Sequence, residues 1–167
     1  MIVVSDSTPL ITLMKAGKLG ILNAMFGEVL VPEAVFSEVT SNISFSSEAD
    51  LIQNSEYIRV VKVENRQQVL LLQRATGLDL GESEAIIYAD EAKADLLLMD
   101  EAAGRRVALN MNLPMTGSVG LLIRAFQSGL ITTDEADEAF DRIKRSRRHI
   151  SEKLIQKALE VIHFGKE

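Results

Sequence analysis

The chain has 167 residues, 47% hydrophobic and 25% charged, with 18 Lys+Arg against 24 Asp+Glu and a formal net charge of −6. That is long enough to bury one sizeable core and argues against disorder, while the acidic balance excludes a general basic nucleic-acid coat but not a local basic patch. The lack of Cys excludes disulfides, thiolate zinc and a cysteine nucleophile, and two histidines, His149 and His163, are too few for His-rich metal sites and most His-base triads.

Ile2–Val4 is a short β-branched run of the kind found in a buried parallel strand. Asp6 follows it, and Pro9 then sits where a first helical position is expected, ahead of Leu10, Ile11, Leu13 and Met14, with a stop at Gly17. A short helix is predicted from Lys18 to about Phe26, a strand over Val29–Val31, and a helix opened by Pro32 through Val39. The polar, Ser-rich stretch Ser41–Asp50 reads as a loop. Ile58–Val63 is a third strand, and Gln67–Arg74 a helix that Gly77 terminates. Asp79 opens a strong helix through Ala89. Leu96–Met99 is an apolar strand ending in Asp100 and Glu101, and Ala102–Leu109 is helical. Met115 lies in a short strand, Val119–Phe126 in a helix stopped by Gly129, and two amphipathic helices begin near Thr132 and Ser151.

No repeat or long linker divides the chain, so residues 1–167 read as a single domain with 131–167 as a C-terminal helical extension. Alternating strands and helices imply a mostly parallel sheet covered on both faces, whose ligands bind beyond the carboxyl ends of the strands. No run approaches the roughly 18 apolar residues of a membrane span. The first residues lack the cationic segment of a secretory leader, and Asp6 and Pro9 interrupt its apolar part, so a cytoplasmic protein is expected.

Asp6 and Asp100 each close an apolar strand and would project from one rim of the sheet. Glu82 lies in the first turn of the helix preceding the Asp100 strand, which brings it to that rim. Three converging carboxylates repel one another, and a divalent cation would relieve the repulsion; oxygen-only ligands favour Mg²⁺ or Mn²⁺ over zinc. Each residue also has a structural explanation. Asp6 and Asp100 can cap the helices that follow them, and Glu82 can close a capping box with Asp79.

Five ordered blocks carry a family resemblance: VVSDSTPLI (3–11), VPEAVFSEV (31–39), LDLGESEAI (78–86), LLLMDEAAGRR (96–106) and MTGSVGLLIRA (115–125). Together they resemble a PIN domain, and most closely a prokaryotic PIN-like subfamily, long labelled as of unknown function and often encoded in toxin–antitoxin pairs. The resemblance implies an α/β fold: a three-layer α/β/α sandwich around a five-stranded, mostly parallel, Rossmann-like sheet. It also implies a Mg²⁺- or Mn²⁺-dependent ribonuclease with clustered acidic residues. Matched position by position, Asp6, Glu38, Glu82 and Asp100 are the family's acidic set, as metal ligands and catalytic residues; Glu38 enters by resemblance alone. The sequence departs from the wider family where Glu82 replaces a common Asp, and where Leu98 and Met99 stand in place of a Thr or Ser that supports the acidic cluster. Such outer support typically matters 10–100-fold for metal affinity or activity.

Thr8 is placed to support Asp6, and Arg105 and Arg106, just past Asp100, to bind a substrate phosphate. Gly117 and Ser118 open a helix whose free N–H groups would suit the same phosphate, or simply permit a tight turn. Arg142, Lys144, Arg145, Arg147 and Arg148 form the one dense basic run, suited to an RNA backbone, an acidic partner or the C-terminal end of their own helix. The expectation is therefore an endoribonuclease in which a metal-activated water hydrolyses the phosphodiester, with RNA as substrate and a small antitoxin protein as partner. The alternative is a PIN-fold nucleic-acid-binding or assembly module with weak or no catalysis. A phosphotransferase with Asp6 as nucleophile ranks third, because Thr8 stands where a second Asp is generally found. Apolar positions Leu121, Leu122, Ile123, Phe126, Leu154, Ile155, Leu159 and Ile162 suggest a homodimer.

Overall fold

A computed structural model describes residues 1–41, 46–146 and 150–165. Five strands, β1 (Val3–Ser5), β2 (Val29–Pro32), β3 (Ile58–Val61), β4 (Leu96–Leu98) and β5 (Met115–Thr116), form one sheet. All pairings are parallel and the strand order is β3-β2-β1-β4-β5. The order reverses between β1 and β4, so a crevice opens at their carboxyl ends, the usual ligand position in such sheets. Ser5 is level with Leu98, and Leu98 with Thr116, so whatever follows these three strands shares one rim.

The helices are α1 (Ser7–Lys15), α2 (Ile21–Phe26), α3 (Glu33–Ser41), α4 (Ser46–Gln53), α5 (Arg66–Thr76), α6 (Leu80–Glu91), α7 (Ala102–Asn110), α8 (Ser118–Gln127), α9 (Thr133–Arg145) and α10 (Glu152–Phe164). They flank the sheet as the outer layers of an α/β/α sandwich. Helix α6 lies along β1, β2 and β4 and packs on α3, whereas α1, α8, α9 and α10 pack mainly among themselves. Helix α6 is buried nearly all round, pressed between the sheet and its neighbours: Gly81 through Ile87 are all buried, the polar Glu82, Ser83 and Glu84 among them. The expected stops are present: Gly77 and Gly129 adopt positive φ values of 75° and 72°, which glycine reaches without a Cβ penalty.

Three local expectations change. Pro9 is the third residue of α1, not the first, and is tolerated because the first four helical N–H groups need no intrahelical acceptor. The Ser-rich stretch is partly helical: α4 begins at Ser46, buries Ala49 and Ile52 and packs on α3, while 42–45 lie outside the described residues. Burial of its apolar stripe and a Lys15–Glu48 ion pair at 2.7 Å outweigh the polar composition. Finally, β3 stops at Val61 and leaves Arg59 and Val60 exposed, as an edge strand does.

Helices α9 and α10 contribute Phe140, Ile143, Ile155 and Ile162, and the turn before α9 contributes Ile131, to the same apolar core as the sheet residues. Part of the apolar surface that suggested a homodimer is used within the chain. Helix α10 packs on α8; Leu121, Leu122, Ile155 and Ile162 are buried, Ile123, Phe126 and Leu159 partly so, and Leu154 is exposed. Among the described residues no helix is long and apolar enough to cross a membrane.

Candidate functional site

Asp6 is the residue immediately after β1, and its backbone N–H extends the sheet by one bond, to the Leu98 carbonyl at 3.0 Å. It occupies the N-cap position of α1, yet its side chain makes no capping bond. Asp6 is 1% exposed, and neither carboxyl oxygen has a hydrogen-bond partner among the described residues. Burial, above all, pushes its pKa up to about 8, and the negative charges of Glu82, Asp79 and Glu38 push the same way. The Ser7 backbone N–H acts in the opposite sense, without the geometry of a satisfactory hydrogen bond. A buried carboxyl with no partner is expensive to ionise, so this arrangement needs a structural or functional reason.

Glu82 has two different oxygens. Oε2 accepts the Asp79 N–H at 3.1 Å while Asp79 Oδ1 accepts the Glu82 N–H at 2.8 Å, so the capping box is real. Oε1 is buried and unpartnered. It faces the close approach of α7, where a Cβ on Gly104 would lie 3.2 Å from it. Burial raises the pKa of Glu82, helped by the charges of Asp79, Glu101 and Glu38, while the Asp79 N–H lowers it. The capping role and a carboxylate oxygen held for another purpose coexist in one side chain.

Glu38, on the exposed side of α3, accepts the Ser7 hydroxyl at 3.0 Å, and a Cβ on Gly81 would stand 3.0 Å from its Oε2. Asp100 does not cap α7, whose N-cap is Glu101. Its Oδ1 accepts the Ser118 N–H at 2.7 Å and its Oδ2 the Ser118 hydroxyl at 2.8 Å, so Asp100 caps α8 instead. The Gly117–Ser118 turn, expected to offer a free N–H to phosphate, therefore holds Asp100. Gly117 makes room for it: a Cβ there would lie 2.6 Å from Asp100 Oδ1.

A family model described as a PIN domain matches residues 2–163. The chain belongs to the PIN-domain family. No curated protein matches it. PIN domains form a nuclease superfamily and are generally dependent on divalent metal.

Whether this PIN domain's residues suit such a metal is decided by their oxygens. Among the described residues, no three acidic or His side chains stand close enough to form a ready-made cage. The four expected ligands are not brought together as one set, because Ser7 holds Glu38 and Ser118 holds Asp100. Yet Glu82 and Glu38 are near enough to raise the proton affinity of Asp6, and Glu38 that of Glu82. Three carboxylate oxygens, both of Asp6 and Oε1 of Glu82, are buried without partners, which is the donor chemistry of a hard divalent cation. Asp6 and Glu82 carry these unpartnered oxygens, whereas Glu38 and Asp100 are engaged by Ser7 and Ser118.

The remaining predicted residues separate. Thr8 donates to Glu101 Oε1 at 3.2 Å, not to Asp6. Arg105 is fixed at the rim by an Nη1–H bond to the Met99 carbonyl at 2.7 Å, while Arg106 is exposed. Arg142 pairs with Glu138 and Arg145 with Asp141 one turn earlier on α9, and Arg147, Arg148 and His149 lie outside the described residues. Asp79 and Glu101, not among the expected ligands, contribute to the site's field. Asp79 was legible as the Glu82 cap; Glu101, the extended N-cap of α7, was overshadowed by its neighbour Asp100.

Proposed function

We propose that this PIN domain is a divalent-metal-dependent endoribonuclease, with single-stranded RNA as substrate and Mg²⁺ or Mn²⁺ as cofactor. The observation that carries the reading is the pair Asp6 and Glu82: two buried carboxyl groups at the sheet's switch point, each with a raised pKa, whose three buried oxygens find no hydrogen-bond partner among the described residues. Asp6 and Glu82 would hold the cation, and Glu38 and Asp100 would complete its shell. When bound, the metal supplies Lewis acidity that lowers the pKa of water and neutralises charge on the phosphodiester. Burial of Asp6 keeps competing water away from the ligand oxygens, and Arg105, held by Met99, would orient a phosphate at the rim.

A cytoplasmic location, a small antitoxin as partner and the toxin role belong to this reading through the family likeness. A homodimer belongs to this reading as well, with Leu154 exposed on α10 although α8 and α10 otherwise pack against each other. A second reading, a PIN-fold binding module without catalysis, is favoured by one observation: both Asp100 oxygens are already engaged by Ser118.

Cleavage of mixed single-stranded RNA decides between them. The expected result is cutting with Mn²⁺ or Mg²⁺ that EDTA abolishes, and that Asp6→Asn and Asp100→Asn each reduce at least 100-fold, the scale of a lost electrostatic contact at the reacting group. Equal activity in EDTA, or unimpaired variants, would refute the enzyme.

A further inference from the structure

Beside the acidic pair lies a cleft of about 800 Å³ between α1, α7, α8 and the start of α10. We propose that this cleft is a nucleobase subsite, receiving one unstacked base of single-stranded RNA next to the phosphate at the candidate site. The proposal rests on the ribonuclease reading and names how that site would seize its substrate.

The size is that of a small-molecule pocket, which ordinarily falls between about 300 and 1,000 Å³ and combines apolar walls with a few polar groups. Here Val119, Ile123, Ile150 and Leu154 provide the apolar wall, and Arg105 and Thr12 the polar points. Thr12 is the decisive residue. It is 0% exposed, in the middle of α1, and its hydroxyl oxygen has no hydrogen-bond partner among the described residues. A mid-helix Thr would ordinarily bond back to the preceding turn. Leaving a buried hydroxyl unsatisfied is unfavourable, and a base edge, which carries both donors and acceptors, can satisfy it whichever way the O–H points.

Charge selects the base over the phosphate. Asp100 and Glu101 stand on the same wall, so an anion inside the cleft meets two carboxylates, whereas a neutral heterocycle does not. Arg105 is held by its bond to the Met99 carbonyl, which presents a fixed guanidinium plane of the kind that bases stack on. The cleft also shares Asp100, Glu101 and Arg105 with the rim of the acidic site, so a strand crossing that rim has a neighbouring base within reach. Because Ile150, Ser151 and Leu154 come from the C-terminal segment, that segment acquires a role in substrate selection.

The experiment compares binding of a single-stranded hexameric RNA and an abasic RNA of equal length, by fluorescence anisotropy in EDTA. The abasic strand is expected to bind at least tenfold more weakly. Thr12→Val, which removes only the hydroxyl, and Leu154→Gln, at an exposed helical position, are each expected to weaken RNA at least threefold and leave the abasic strand unchanged. Equal affinity for the two strands, or variants that weaken both alike or neither, overturns the subsite. Cleavage with Mn²⁺ but no base-dependent binding would sink the subsite and spare the nuclease. Base-dependent binding without cleavage would do the reverse.

Discussion

Asp6→Asn removes one ionisable group from a site where the fold holds it protonated, and the expected consequence is a change in how stability depends on pH. In the folded protein the Asp6 carboxyl keeps its proton up to about pH 8, whereas its ordinary value is 3.8. Between those limits the folded state binds more protons than the unfolded state, so stability must fall as pH rises. From pH 6 to pH 8 the loss from this one group is about 2 kcal/mol, because each pH unit inside the window corresponds to about 1.4 kcal/mol and the titration is half complete at the upper end. For a domain of this size that is a drop of about 4–8 °C in melting temperature. At 1% exposure, Asp6 has no solvent screening to soften it. Thermal melts in EDTA, followed by circular dichroism from pH 5 to 9, should show this decline in the wild type and a flatter profile in Asp6→Asn. Glu82, whose pKa is also raised, keeps a residual slope of the same sign. Added Mn²⁺ should stabilise the wild type more at pH 8 than at pH 6, since ionised Asp6 is the ligand form, and should do so less in the variant. A wild-type melting temperature that is level or rises between pH 6 and 8, or an Asp6→Asn profile with the wild-type slope, would refute the reasoning.

Three other perturbations follow from particular contacts. Glu82→Gln can retain the bond to the Asp79 N–H, so melts without metal should stay within about 1 kcal/mol of wild type while the Mn²⁺-induced shift shrinks; an undiminished shift returns Glu82 to capping alone. Gly117→Ala has an ordinary φ of −102° but brings a Cβ to 2.6 Å from Asp100 Oδ1. It should displace Asp100 from Ser118, lower stability by about 1–2 kcal/mol in urea titrations and weaken RNA cleavage; an unaltered midpoint would mean that the contact relaxes freely. Glu84, buried on α6, accepts the Ala34 N–H at 3.0 Å and pairs with Arg66, thereby tying α6 to α3 and α5. Glu84→Ala should cost about 2–3 kcal/mol by leaving that N–H unsatisfied, with chemical denaturation as the check and a loss below 0.5 kcal/mol, roughly the scale of an ordinary surface change, as the contrary result.

The sequence by itself determined what depends on neighbours along the chain. Apolar runs such as Val29–Val31 and Leu96–Leu98 became strands because a β-branched or continuous apolar stretch suits a strand buried on both faces. The Asp79–Glu82 box and the Thr132 cap formed because each needs only residues three positions apart. The same logic put Asp6 after β1 and Asp100 after β4, and parallel pairing of those strands brought both to one rim. Tertiary structure decided where each carboxylate points. Ser118 claims Asp100 only because β5 lies beside β4, and the fold buries Asp6 without bringing a hydrogen-bond donor to it from among the described residues. Helices α8 and α10 likewise used apolar faces that the sequence showed without naming their cover. Local patterning follows from backbone geometry within a few residues, whereas the orientation of a side chain is set by groups that are distant in sequence and close only in the fold.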